Sequence, residues 1–236
     1  MKNSTFRFAW RNLTRKKRRT LLSVAGVAVS CAVCLITLGL SQGKVDMFFR
    51  VTAESGLGHL RLVPPGWLAA QDAKLRLRDW RQDLASLRGL PQVKTATPRA
   101  RTQGMLAMGT HVANVDITGV DPVTEPAACK YVRHPASGRY LVAEDANGMV
   151  LGQTTADTLK IGVGDPVVVT AIGNDGSLKS AMFTVVGTVA TGDPDVDASV
   201  CQVNLQDLEQ LGQTPGAGEI TLLVHDPESA VTLQKQ

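Results

Sequence analysis

TLLSVAGVAVSCAVCLITLGL, residues 20–40, runs for 21 residues without a charge. As a helix rising about 1.5 Å per residue, it covers the roughly 30 Å of a bilayer's hydrocarbon core. Ten of its residues are Leu, Val or Ile. At about 0.3–0.6 kcal/mol each, they favour insertion by roughly 3–6 kcal/mol. The Ser, Thr and Gly residues give part of that back, and the run reads as one membrane span, residues 20–43.

The charge on its N-terminal flank sets the orientation. Residues 1–19 hold Lys2, Arg7, Arg11, Arg15, Lys16, Lys17, Arg18 and Arg19 with no acid, and the first carboxylate is Asp46. The formal net charge of +4 therefore hides a cationic tail and a mildly acidic remainder. Such a tail can serve nucleic acid, an anionic membrane surface or topology. A span directly behind it argues for the last two and against nucleic acid. Positive flanking charge places the N-terminus in the cytoplasm. Phe6, Trp10 and Leu13 share one helical side beside Arg7 and Arg11, which suits an interfacial helix on anionic lipid. Trp10, Arg11, Arg15, Lys16, Lys17, Arg18 and Arg19 are thus the expected membrane-surface residues of a cytoplasmic segment, 1–19. A cleaved leader has an apolar core of about 7–15 residues, shorter than this one, so the span is expected to stay as an anchor.

Within the span, Gly26, Ser30 and Cys34 are spaced four apart, and Ser23 and Thr37 extend the same side. Small residues let neighbouring backbones approach, which is how spanning helices associate. The stripe is expected to pack against helices outside this chain.

Residues 44–236 are long enough for a domain with its own core. No second apolar run approaches the length of a span. Residues 44–50 extend the first helix, and the period over 75–87, closed by Gly89 and Pro91, predicts an amphipathic helix. Short runs rich in Val, Ile and Thr predict strands at 59–63, 112–118, 148–151, 166–172, 183–190, 200–203 and 220–224. Asn174-Asp175-Gly176 marks a hairpin turn, and 154–159 and 205–211 suit short helices. The fold class is α+β: one N-terminal transmembrane helix, then a mixed α/β extracytoplasmic domain with an inserted β-rich subdomain at about 120–190.

Motifs that carry chemistry fail on spacing. Gly39-Leu-Ser-Gln-Gly43-Lys44-Val45 has three residues between its glycines where a phosphate loop has four, and Val45 cannot bind magnesium. Cys31 and Cys34 lie within a membrane helix and read as small packing residues rather than a redox pair. Cys129 and Cys201 would sit in an oxidising compartment; their pairing is left open. Asp193-Pro-Asp195-Val-Asp197 begins like a calcium loop, but Ala198 replaces the turn glycine and Asn204 the closing glutamate. His59, His111, His134 and His225 are scattered, and no nucleophile or paired-carboxylate pattern appears. The chain is not expected to be an enzyme, to bind a metal or to hold a cofactor.

Several stretches together resemble the MacB/LolC-type ABC permeases, a group that includes FtsX-like proteins. They are Ala9-Trp10-Arg11-Asn12-Leu13 with Arg15-Lys-Lys-Arg-Arg-Thr20, Gly58-His59-Leu60-Arg61-Leu62, and Ile117-Thr-Gly119-Val-Asp121-Pro122. Gly148-Met-Val-Leu151-Gly152, Leu159-x-x-Gly162-Val-Gly164-Asp165 and Phe183-Thr-Val-Val-Gly187 complete the ordered set. The resemblance implies a bacterial inner-membrane permease with four spans, the domain standing in the periplasm between the first two. It implies a dimer with a second or homologous permease copy and a cytoplasmic ATPase that carries the ATP. Substrates in the group are lipoproteins, peptides and hydrophobic drugs, and some members instead activate cell-wall hydrolases. The resemblance also implies three further spans and an ATPase-engaging loop that residues 1–236 do not contain. The expectation is a fragment, or a partner chain that supplies those spans. The alternative function is a membrane-tethered adaptor for an envelope protein or hydrolase.

Overall fold

A computed structural model describes residues 17–70, 74–226 and 229–233. It divides into two compact units, residues 1–51 and 52–236. The first holds most of α1 (Lys17–Glu54). Its stretch Lys17–Lys44 is long and apolar enough to span a membrane, with none of its most apolar window buried inside the chain. Leu21, Leu22, Val24, Val27 and Leu35 are all exposed, a surface that only lipid or other apolar helices would cover.

In the second unit the strands are β1 (Leu60–Leu62), β2 (Val93–Met108), β3 (His111–Val120), β4 (Ser137–Gly138), β5 (Gly148–Gly152), β6 (Pro166–Ile172), β7 (Leu178–Val189), β8 (Val200–Asn204) and β9 (Glu219–Val224). The helices are α2 (Trp67–Ala70), α3 (Trp80–Arg88), α4 (Glu125–Ala128), α5 (Gln153–Leu159), α6 (Pro194–Asp197), α7 (Leu205–Gly212) and α8 (Ser229–Leu233). The described strands form one sheet. Within it β2, β3, β8, β5, β7 and β6 pair in turn, and β6 pairs back onto β2. Six strands therefore close a barrel, two of whose ladders, β3–β8 and β5–β7, are parallel. Closure removes the free edges that an open sheet would expose.

Alternation fills the interior. Leu106, Val115, Ile117, Met149, Leu151, Val167, Val169, Phe183, Val185 and Val203 form one buried cluster, as expected of a barrel too small to hold a channel. Leu159, Leu205, Leu208 and Leu211 of α5 and α7 join it. At Gly104 a Cβ would lie 2.3 Å from Ile117 Cδ1 and 2.8 Å from the Thr170 carbonyl, so only glycine lets β2 pass between β3 and β6. Beyond the barrel, β9 and then β1 extend the sheet from the first half of β2. There Leu84 of α3 packs with Leu77, Val93, Ala96, Ile220 and Leu222.

The predicted strands are all present, 166–172 with matching ends, and Asn174-Asp-Gly176 is the β6–β7 turn, with Gly176 at φ 79°. Three results differ from the sequence reading. The helix predicted over 75–87 begins only at Trp80, because Leu77 instead donates its backbone N–H to Ala217 O. The longest strand, β2, was not foreseen. Segment 120–190, expected as an insert, supplies β5, β6 and β7 to the barrel that β2, β3 and β8 complete. Cys129 and Cys201 are both free and buried. Cys201 lies in the barrel cluster, and Cys129 lies at the end of α4.

Candidate functional site

Two constellations stand out, one on the span and one where the chain enters the second unit. On α1, Ser23, Gly26, Ser30, Cys34 and Thr37 are all exposed. At about 100° per residue they fall within roughly 80° of each other around the axis. Ser23 donates to Arg19 O at 3.1 Å, Ser30 to Gly26 O at 2.9 Å and Thr37 to Val33 O at 2.8 Å. These hydroxyls are satisfied within their own helix, so they cost little in an apolar medium and leave the stripe sterically small. Among the described residues, and apart from the adjoining backbone of its own helix, no atom lies within 4 Å of a Cβ built on Gly26. The structure thus brings the five predicted packing residues onto one open face. Lys17, Arg18 and Arg19 form the exposed first turn of α1, while Trp10, Arg11, Arg15 and Lys16 lie outside the described residues.

The second constellation was missed by sequence reasoning. Arg99 of β2 and Glu125 of α4 are both buried, at 2% and 0% exposure. They pair through two contacts, Nε to Oε2 at 2.9 Å and Nη2 to Oε1 at 2.6 Å. The bidentate fork is the strong form of this interaction. Arg99 Nη1 donates to Gly56 O, two residues past the end of α1. Burial alone would lower the Arg99 pKa; the facing Glu125 carboxylate outweighs it and raises the guanidinium above its ordinary value. Thr97 Oγ1 lies 3.0 Å from Thr124 Oγ1, and Thr124 donates to Asp121 at 2.8 Å. Asp121 thereby holds the turn into α4.

The exit of α1 is held at further points. Ala53 is buried with Ala128 and Leu223, and Glu54 pairs with Lys130. Ser55 forms an isolated antiparallel bridge with Cys129. Lys130 N donates to Glu54 O at 2.8 Å. Burial, aided by Glu125, pushes the Cys129 thiol up to about 11, and nearby Tyr131 opens a polar chain. Gln202 Nε2 donates to the Tyr131 hydroxyl at 3.2 Å, and the Tyr140 hydroxyl donates to Gln202 Oε1 at 2.7 Å. Residues 53–56 are therefore held to β2 by the buried Arg99 contact with Gly56 O, to the end of α4 by Lys130 and Cys129, and to β9 by the packing of Ala53 on Leu223.

This arrangement fixes the chain at the exit of α1, and it offers no nucleophile with an activating base. Among the described residues no group of three or more His, Cys, Asp or Glu side chains is placed to hold a metal ion. Asp193 caps α6 by accepting from Asp195 N, and Asp197 accepts from Thr191, so this acidic run is engaged in its own loop. The signal that could have revealed the site is Arg99 itself, a charge in a strand whose neighbours Ala96, Thr97 and Ala100 are buried.

The family model described as the MacB-like periplasmic core domain matches residues 20–236. The lipoprotein-releasing system transmembrane protein LolC of Neisseria meningitidis serogroup B is 27% identical over 95% of this chain and 56% of its own length. LolC of Xylella fastidiosa strain 9a5c is 24% identical over 92% and 53%. The chain spans about half the length of these curated relatives. In fold, the second unit resembles the extracellular domain of the noncanonic ABC-type transporter YknZ from Gram-positive bacteria. That match has a TM-score of 0.51 at 15% identity over 72% of this chain and 84% of the other.

Proposed function

Because the chain belongs to the family of the MacB-like periplasmic core domain, we propose that it supplies the first span and extracytoplasmic domain of an ABC-transporter permease of the lipoprotein-release type. In this reading the basic turn Lys17-Arg18-Arg19 stays cytoplasmic and the second unit stands in the periplasm. The Ser23–Gly26–Ser30–Cys34–Thr37 face packs on other permease helices, from a second or homologous copy. ATP is bound by a separate ATPase subunit, and the transported substrate is a lipoprotein, peptide or hydrophobic compound. The observation that carries the reading is the anchored exit of α1. In this reading Arg99, which holds Gly56 O while pairing with Glu125, passes a displacement of the chain at residues 53–56 to β2 and α4 rather than letting it dissipate in a slack linker.

Affinity purification of the full chain from native membranes, with mass spectrometry of what accompanies it, tests this. An ABC ATPase and a permease copy at stoichiometric yield are expected; their consistent absence overturns the proposal.

One observation favours a second reading, a tethered adaptor for an envelope protein or cell-wall hydrolase. Val168 opposite Met182 and Ile172 opposite Leu178 place an exposed aliphatic face on the β6–β7 hairpin, and such faces mark interaction surfaces. Replacing residues 20–40 with an unrelated spanning helix separates the two. An adaptor keeps its activity, whereas a permease loses it.

A further inference from the structure

The last turn before β1 is built around Gly58 and His59. Gly58 has φ 71°, and a Cβ there would lie 2.4 Å from Thr221 Cγ2 and 3.0 Å from the Leu222 carbonyl. Only glycine lets the chain come this close to β9 and turn. Gly58 N donates to Ala53 O at 3.0 Å, closing the turn onto the end of α1. His59 N then donates to Leu222 O at 2.8 Å, and the β1–β9 ladder runs on from Leu60 opposite Leu222. The next rung backward would place the residue before His59 beside Val224, but the chain has already turned away. The Val224 N–H finds the His59 ring instead, donating to Nδ1 at 3.2 Å. The imidazole stands in for a strand carbonyl, so Nδ1 must carry its lone pair and the ring proton sits on Nε2.

We propose that His59 is a proton-sensitive clasp: its neutral ring holds the end of β9 to the turn where the chain enters the second unit, and protonation at Nδ1 releases it. A protonated Nδ1 cannot accept, and the Val224 amide is then left without its partner. The groups around the ring fix the direction. Burial, with Lys94 of β2 acting the same way, holds the imidazole below its ordinary value of 6.5, and Glu54 at the end of α1 acts in the opposite sense. Glu54 is itself paired with Lys130, and His225 and Asp226 follow directly on β9. The lowered value means the folded protein binds fewer protons than the unfolded chain. The clasp's stability is fully present above about 6.5 and declines as the pH falls through the lowered folded value. A periplasmic face takes up external pH changes that a cytoplasmic one is shielded from. The proposal itself needs only the local geometry and does not rest on the permease role.

Amide hydrogen exchange on the full chain in nanodiscs tests it, read on peptides covering 219–226 and corrected for the intrinsic pH dependence of exchange. Between pH 7.5 and pH 5, protection of these amides is expected to fall about five- to tenfold, the worth of one net hydrogen bond. His59→Gln, which keeps an acceptor that does not titrate, should hold protection constant across the same range. His59→Phe, which has no acceptor, should show the low protection at both values. Wild-type protection that does not change with pH, or a His59→Gln variant as pH-sensitive as wild type, overturns the proposal. Should the variants misfold, imidazole nitrogen shifts of the wild type decide alone. An Nε2–H tautomer at pH 7.5 that titrates below 6.5 is required, and an Nδ1–H tautomer refutes the clasp.

Discussion

Arg99 and Glu125 show what one buried pair does for this domain. Taking both charges out of water is costly, and the bidentate contact offsets that cost only while both partners are present. Arg99→Met strands the Glu125 carboxylate and is expected to destabilise the second unit by about 3–5 kcal/mol. The double variant Arg99→Met with Glu125→Leu should recover most of that loss. Denaturant unfolding of the full chain followed by near-UV circular dichroism reads both; a double variant as unstable as the single would contradict the assignment. The buried thiols give a second residue-scale expectation. Burial pushes Cys201 up to about 12 and, with Glu125 adding, Cys129 up to about 11. At pH 8 the Cys129 thiolate fraction is then on the order of a thousandth. Alkylation mapped by mass spectrometry should leave both unmodified in the folded chain and modify both in denaturant. At the surface, the hydrogen bond from Arg139 holds Asp145 below the usual carboxylate value. Its folded pKa is depressed, so that contribution is present above about 3.8 and lost as the pH falls below it. Arg139→Gln should flatten the acid limb of the stability profile.

At the scale of elements, the open face of α1 makes a clean test. Because among the described residues nothing beyond the adjoining backbone of its own helix approaches a Cβ on Gly26, Gly26→Leu meets no described neighbour, and leucine is the better helix former. Expression and membrane insertion should be unchanged, and any loss of an accompanying permease in the purification then reports a helix from outside this chain. A variant that retains its partners in full removes the stripe from the interface. In the barrel the logic is reversed. Gly104→Val places two methyl groups where Ile117 and the Thr170 carbonyl already lie, and it should prevent the β2–β3–β6 junction from forming. Its expected signature is a chain that inserts in the membrane but is cut readily by added protease.

Across the whole molecule, the parts most legible in sequence were those governed by local rules. A charge-free run of span length and a cationic flank are read from composition alone. The short runs rich in Val, Ile and Thr that became β3, β6, β8 and β9 declared themselves by composition. β2 did not, because Pro98, Arg99, Arg101 and Gly104 interrupt the apolar alternation that marks a strand. Each has a tertiary reason to be there: Arg99 reaches Glu125, Arg101 reaches Glu219 at 2.9 Å, and Gly104 makes room for Ile117. The same reasons hid the helix exit as a site. Arg99, Glu125 and Gly56 are separated by 26 and 43 residues along the chain, and no spacing rule joins such positions.

By itself, then, the sequence determined a charge-free run of span length behind a cationic flank, and an ordered set of motifs that resembles the family. Only the tertiary structure decided that six strands close into a barrel taking in segment 120–190. Only it placed a buried ion pair against the end of α1, and gave His59 the work of a strand carbonyl. The physical reason is range. Hydropathy and charge act over neighbouring residues and leave a periodic trace. Barrel closure and ion pairing depend on which distant backbones and side chains meet once the apolar faces are buried.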